Sequence, residues 1–173
     1  MDEYKLLIED CAQQNINKDI PNSSTKHAYI GIKALLKYSK KDVRITSGEF
    51  YYEFWIQLTS DIRTFLCKKD TCLSVIIQRK SLGLRLLKTL KHDFPKNVNI
   101  YLLNQDKIKK QLNMNIYDVP DFLVSDSGYR FEESDSEIKK KRVCANINFG
   151  DAIGKKQLIS VFEKLKTTLS DPI

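Results

Sequence analysis

The run LSVIIQ, residues 73–78, is the segment that most limits what this chain can fold into. It is almost continuously apolar, and a strand with so little alternation is one covered on both faces. Stretches of helical spacing lie on either side. Before it, Phe50, Phe54, Leu58, Ile62, Phe65 and Leu66 recur every three or four residues, which predicts one helix of nearly five turns. After it, Ser81 is placed as an N-cap, with Leu82, Leu86 and Leu90 forming a helix face. The alternation continues outward. Ala28, Ile32, Leu35 and Leu36 mark a helix over residues 27–39. In DVRITSGEF, Val43 and Ile45 oppose Arg44 and Thr46 before Ser47-Gly48 breaks the run, and NVNIYLL alternates at Val98, Ile100 and Leu102. Residues 27–103 therefore read α-β-α-β-α-β. That order implies right-handed crossovers and a largely parallel sheet.

The second half changes character. A polar link, NQDKIKKQLNMNIYD, predicts a short helix or irregular segment. Three strands follow in DFLVSD, YRFEE and VCANINF, the first two joined by Asp126-Ser127-Gly128 as a hairpin. Asp151 then caps a helix whose Leu158, Val161, Phe162, Leu165 and Leu169 face the sheet. At the other end, residues 4–14 form an amphipathic helix with Leu7, Ile8 and Cys11 on one side. A polar linker with candidate caps Ser23, Ser24 and Thr25 follows it. The expected organisation is an N-terminal helix and linker over residues 1–25 and one α/β domain over 26–173. Its mixed, largely parallel central sheet is flanked by helices on both faces.

No apolar run approaches the ~20 residues of a membrane span. The acidic, amphipathic start is unlike a secretory leader. Cys11, Cys67, Cys72 and Cys144 are scattered, without a CxxC pair or a histidine at zinc spacing. The expectation is a cytoplasmic protein with reduced thiols, no metal and no cofactor. The net charge of +7 favours acidic partners such as nucleic acid.

The order of elements, clearest over residues 98–165, resembles the phospholipase D-like superfamily. There one strand carries H-x-K-x-x-x-x-D and a later one G-S-x-N. Here VPDFLVSD is similar to the first, with Asp126 at the aspartate, and ANINF is similar to the second, with Asn148 at the asparagine. The resemblance also sets the departures. Val119 stands at the histidine, Asp121 at the lysine, and Ala145-Asn146 at the Gly-Ser pair. In catalytic members the histidine attacks phosphorus while the lysine and asparagine hold the phosphoryl oxygens. Valine is no nucleophile, and an aspartate repels a phosphodiester. Neither His27 nor His92 begins an H-x-K. The resemblance thus implies the scaffold and argues against the usual reaction. The smaller nucleases of the superfamily pair two-fold, which implies a homodimer.

Each candidate residue also has a plainer role. Arg130 and Glu132 should share a strand face, either as a residual pocket with Asp126 or as an exposed ion pair worth under ~1 kcal/mol. Arg130 and the run Lys139, Lys140, Lys141 and Arg142 are the candidate nucleic-acid contacts, the run being otherwise a solvated loop. In EFYYEFW, Tyr51, Tyr52 and Trp55 lie partly off the helix stripe. They are candidates for a partner interface or base stacking, or else for a helix buried on two sides. His27, Asp126 and Asn148 are the catalytic candidates. The expected role is a non-catalytic interaction or assembly subunit, without a membrane. The resemblance places it in a bacterial or mobile-element system that handles nucleic acid, such as phage defence. The alternatives are an active nuclease or phosphodiesterase with a relocated site, using His27 or a metal held by Asp126 and a neighbouring acid, and a simple nucleic-acid-binding module.

Overall fold

The structure is a computed structural model and describes residues 2–48, 50–113, 115, 118–132 and 145–173. Helix α1 (Glu3–Gln14) begins where the Asp2 carboxylate accepts the Tyr4 N–H, and it ends at Asn15 in the left-handed conformation. Strand β1 (Ile20–Pro21) leads to α2 (Thr25–Tyr38), capped by Ser24 through the His27 N–H. Then come β2 (Asp42–Ser47), the short α3 (Tyr52–Trp55), a 3-10 turn (Ile56–Leu58) and α4 (Thr59–Leu66). The central repeat closes with β3 (Cys72–Ile77), α5 (Gly83–Asp93) and β4 (Val98–Leu103). Helix α6 (Gln105–Leu112), β5 (Phe122–Ser125), β6 (Tyr129–Glu132), β7 (Ala145–Asn148) and α7 (Ala152–Lys164) follow. A π-helical turn (Leu165–Leu169) and β8 (Ser170–Pro172) complete the described elements.

The eight strands form one sheet in the order β1-β7-β6-β5-β2-β3-β4-β8. Strands β2, β3 and β4 are parallel, the pairs expected of helix-linked strands, and β5 runs antiparallel to β2. Pleating sends Val43, Ile45, Leu73, Val75 and Leu123 into one core with α1, α2, α4 and α5. Ile76, Phe122 and Val124 enter a second core with Phe162, Leu165 and Leu169. Helices therefore cover both faces. The buried strand inferred from LSVIIQ is β3, whose Leu73, Val75, Ile76 and Ile77 are all fully buried. Each such side chain contributes about 1.5–3 kcal/mol on burial.

The N-terminal segment shares this core. Ile8 and Cys11 are buried with the α2 residues, and Ile20 pairs with Ile147 of β7. At the other end of α2, the Lys68 ammonium donates to the carbonyls of Leu36, Lys37 and Ser39 at 3.1, 2.8 and 2.8 Å, satisfying acceptors that the helix leaves open. No helix among the described residues is long and apolar enough to cross a membrane.

Several expectations need correction. The single helix over 50–66 is broken at the 3-10 turn, and Phe50 stands outside it with φ 51°. Its buried ring stacks on Trp55 at 4.4 Å. Its carbonyl lies so close to Gly83 that a Cβ there would overlap it, so α5 needs glycine at this point. Helix α5 has Leu82, not Ser81, at its N-cap position, with no side-chain cap. Leu82 is exposed, and the buried face of α5 is Leu84, Leu86, Leu87 and Leu90. Val161 is likewise exposed on α7 rather than turned to the sheet.

Candidate functional site

Because β2 and β3 are parallel and β5 opposes β2, the C-terminal ends of β2 and β3 meet the start of β5 at one end of the central strands. Val119 and Asp121 lie there. The Val119 side chain is buried in the second core, and its carbonyl accepts from Gln78 Nε2 at 2.9 Å. Asp121 Oδ1 accepts the Gly48 N–H at 2.8 Å, and the Asp121 carbonyl accepts the Glu132 N–H at 3.0 Å. These bonds tie three loops together. They present neither an imidazole nor an ammonium at the two positions.

Asp126 and Asn148 belong to the opposite end of the strands. Five residues of extended chain, at about 3.3 Å each, put Asp126 roughly 16 Å from Asp121. Its carboxylate accepts the Lys40 N–H at 3.1 and 3.0 Å and the Lys41 N–H at 3.3 Å. Asn148 is buried. Its Nδ2 donates to Asn17 Oδ1 and Asp19 Oδ1, both at 2.9 Å, while its Oδ1 accepts from Gly150 N at 3.0 Å and Asp151 N at 2.9 Å. Two donors and two acceptor positions are thereby used. The structure does not bring Asp126 together with Arg130 and Glu132 in one pocket.

His27 lies in the first turn of α2, its ring stacked on Tyr4 at 3.7 Å and 9°. Its Nδ1 is buried and has no hydrogen-bond partner among the described residues. Burial pushes the Tyr4 hydroxyl up to about 12, against the opposing pull of the Arg130 charge. His92 is exposed on α5, with Nδ1 3.2 Å from Asp93 Oδ1. Asp42, at the start of β2, pairs with Arg44 at 3.4 Å. Among the described residues no three His, Cys, Asp or Glu side chains gather as a ligand set.

A cleft of about 480 Å³ opens between α2, α3 and the starts of β5 and the ends of β2 and β6. Ala28, Ile32, Ile45 and Leu123 form its apolar floor. Its aromatic wall is a chain of contacts. Tyr29 stacks on Phe54 at 4.5 Å, and Phe54 meets Trp55 edge-on at 5.4 Å. The polar end holds Asp121, Arg130 and Glu132. Cross-strand pairing of Arg130 with Leu123 and Ile147 turns the guanidinium to the α2 face, as expected for residues two apart on β6. Arg130 Nη1 and Nη2 both reach Glu132 Oε2 at 3.3 Å, with the side chains only 11% and 20% exposed. The pair is therefore largely enclosed, unlike the exposed pair that the sequence also allowed. Arg130 Nε is buried and has no acceptor among the described residues.

Of the three aromatic interface candidates, Trp55 is a core residue at 7% exposure, while Tyr51 and Tyr52 are exposed at 60% and 39%. Lys139, Lys140, Lys141 and Arg142 lie outside the described residues. Sequence reasoning passed over Tyr29 and Phe54 as cleft residues, because nothing along the chain links α2 to α3.

No protein-family model matches the chain, and no curated protein matches it in sequence. Solved structures do. Nuc, a phospholipase D family member from Salmonella typhimurium, superposes with a TM-score of 0.61 at 7% identity, over 91% of this chain and 99% of Nuc. The chain has a phospholipase D-like fold. NucT from Helicobacter pylori gives 0.63 at 12% identity, over 89% of this chain and 98% of NucT. TrmBL2, an archaeal chromatin protein whose structure shows a novel mode of DNA binding, gives 0.66 at 13% identity. That match covers 99% of this chain, which spans only 61% of the TrmBL2 chain. At these identities the likeness speaks for the fold alone.

Proposed function

We propose that this chain is a non-catalytic assembly subunit on a phospholipase D-like scaffold, working in a bacterial nucleic-acid-handling system of the phage-defence kind. The observation that carries the reading is the start of β5. The Val119 carbonyl is taken by Gln78, and the Asp121 carboxylate is bound to Gly48, where a phosphodiesterase of this fold would offer a nucleophile and a cation. The remaining positions likened to the family motif, Asp126 and Asn148, are spent on backbone and side-chain bonds at the far end of the strands. Similarity to a DNA-binding chromatin protein and the +7 charge support contact with nucleic acid. Exposed Tyr51 and Tyr52 offer a surface for a second copy or a partner protein, since such aromatic side chains favour interfaces.

The test is a joint assay on the purified chain. Labelled DNA and RNA should stay intact, with or without divalent cations. The chain should co-purify with a protein encoded beside it or sediment as a dimer, and Tyr51→Ala with Tyr52→Ala should weaken that association. Cleavage of either nucleic acid, lost on His27→Ala, would reverse the assignment in favour of a relocated catalytic site.

A further inference from the structure

We infer that the cleft between α2 and α3 receives an unpaired nucleobase, guanine in preference to the others. In this pose the base edge meets Arg130 and Glu132 and the ring lies against the aromatic wall. The charges decide the ligand class first. Among the described residues one guanidinium lines the cleft with the carboxylates of Glu53 and Glu132, so a phosphate meets more repulsion than attraction there. A simple cation meets Arg130. A neutral group carrying both donors and acceptors on one edge suits both signs.

Arg130 has donors in reserve. Its terminal nitrogens share a single oxygen of Glu132 at 3.3 Å, and its buried Nε has no acceptor among the described residues. A guanidinium offers five N–H groups in a planar fork. On its Watson–Crick edge guanine sets the acceptor O6 beside the N1–H and N2–H donors, so the guanidinium can donate to O6 while the carboxylate accepts from the two N–H groups, a pairing that the other bases make less completely. Exposed Tyr51 supplies a face for stacking, the interaction by which unpaired bases are held, beside the Tyr29 and Phe54 rings that stack on each other. About 480 Å³ is within the range of small-molecule sites and leaves the sugar at the mouth.

The inference rests on the nucleic-acid contact proposed above, but free nucleosides test it separately, since they carry no phosphodiester and need no partner protein. Trp55, the only tryptophan, lines the cleft and reports occupancy by its fluorescence. Guanosine should quench it saturably, with cytidine and free ribose weaker by about tenfold or more. Glu132→Gln should weaken guanosine by about tenfold. Tyr51→Ala, at an exposed position, should weaken it several-fold with an unchanged circular dichroism spectrum. The assignment fails if no nucleoside saturates by about 5 mM, if ribose or N-acetyl-lysine amide binds as well as guanosine, or if Tyr51→Ala binds normally. Oligonucleotide binding without nucleoside binding would discard the cleft as the base site and leave the assembly role standing.

Discussion

The carboxylate of Asp126 clasps the backbone N–H of Lys40, with its two oxygens at 3.1 and 3.0 Å. The aspartate that the sequence likeness singled out thus holds the lead-in to β2, at the opposite end of β5 from Val119 and Asp121. Asn148 plays a comparable part for the loop before α7, more deeply buried and with more bonds. Truncation should show that ranking. Asp126→Ala should cost about 1 kcal/mol and Asn148→Ala roughly 2–3 kcal/mol, because the second strands several buried polar groups. Urea unfolding of both variants measures this, and equal costs would contradict the bonding described.

Gly83 sits against the Phe50 carbonyl with no room for a methyl group. Gly83→Ala should destabilise by roughly 1–3 kcal/mol, since relief requires moving main chain rather than a side chain. The expected readout is a lower urea midpoint with an unchanged slope. A neutral substitution would mean that α5 and the turn at Phe50 can separate freely.

Arg130 and Glu132 form a pair that is mostly shielded. Glu132→Gln and Arg130→Met should each cost roughly 1–3 kcal/mol, reduced from a fully sealed pair by the exposure that remains. The double variant should cost less than the sum, because neither charge is then left alone. A double-mutant cycle by chemical denaturation measures the coupling, and strict additivity would count against the pair.

Asp151 carries the pH dependence at the head of α7. Its carboxyl is held below the ordinary 3.8, chiefly by the Gly154 N–H, then by the Tyr129 hydroxyl, with the Ile153 N–H adding to both. The native state therefore binds fewer protons here than the unfolded chain. The contribution is complete above the unfolded value and is lost as pH falls through the lower native value. Asp151→Asn should flatten the fall in stability below pH about 4 while changing little of its slope near neutrality. Urea midpoints compared across that acid range check the sign.

The strands of the parallel core were legible because burial on both faces leaves a plain mark. DVRITS is β2 as observed, and LSVII falls within β3. The break at Ile56–Leu58 was not legible, since a 3-10 turn and an α-helix bury nearly the same stripe over so short a stretch. Strands β1 and β8 escaped because two or three residues carry no period. Arg130 and Glu132 could be placed on one face from alternation alone. Their enclosure could not, because it depends on α2 and the Phe54–Trp55 turn closing over β6. The separation of Val119 and Asp121 from Asp126 and Asn148 likewise emerged only with the strand register.

Pro21 on β1 and Pro172 on β8 stand on the two outermost strands of the sheet. A proline has no N–H to offer a further ladder, so both flanks are blunted against main-chain pairing with a neighbour. A second copy that joins this protein must consequently engage through side chains presented by its helices and turns, and point substitutions there can tune assembly without disturbing the sheet.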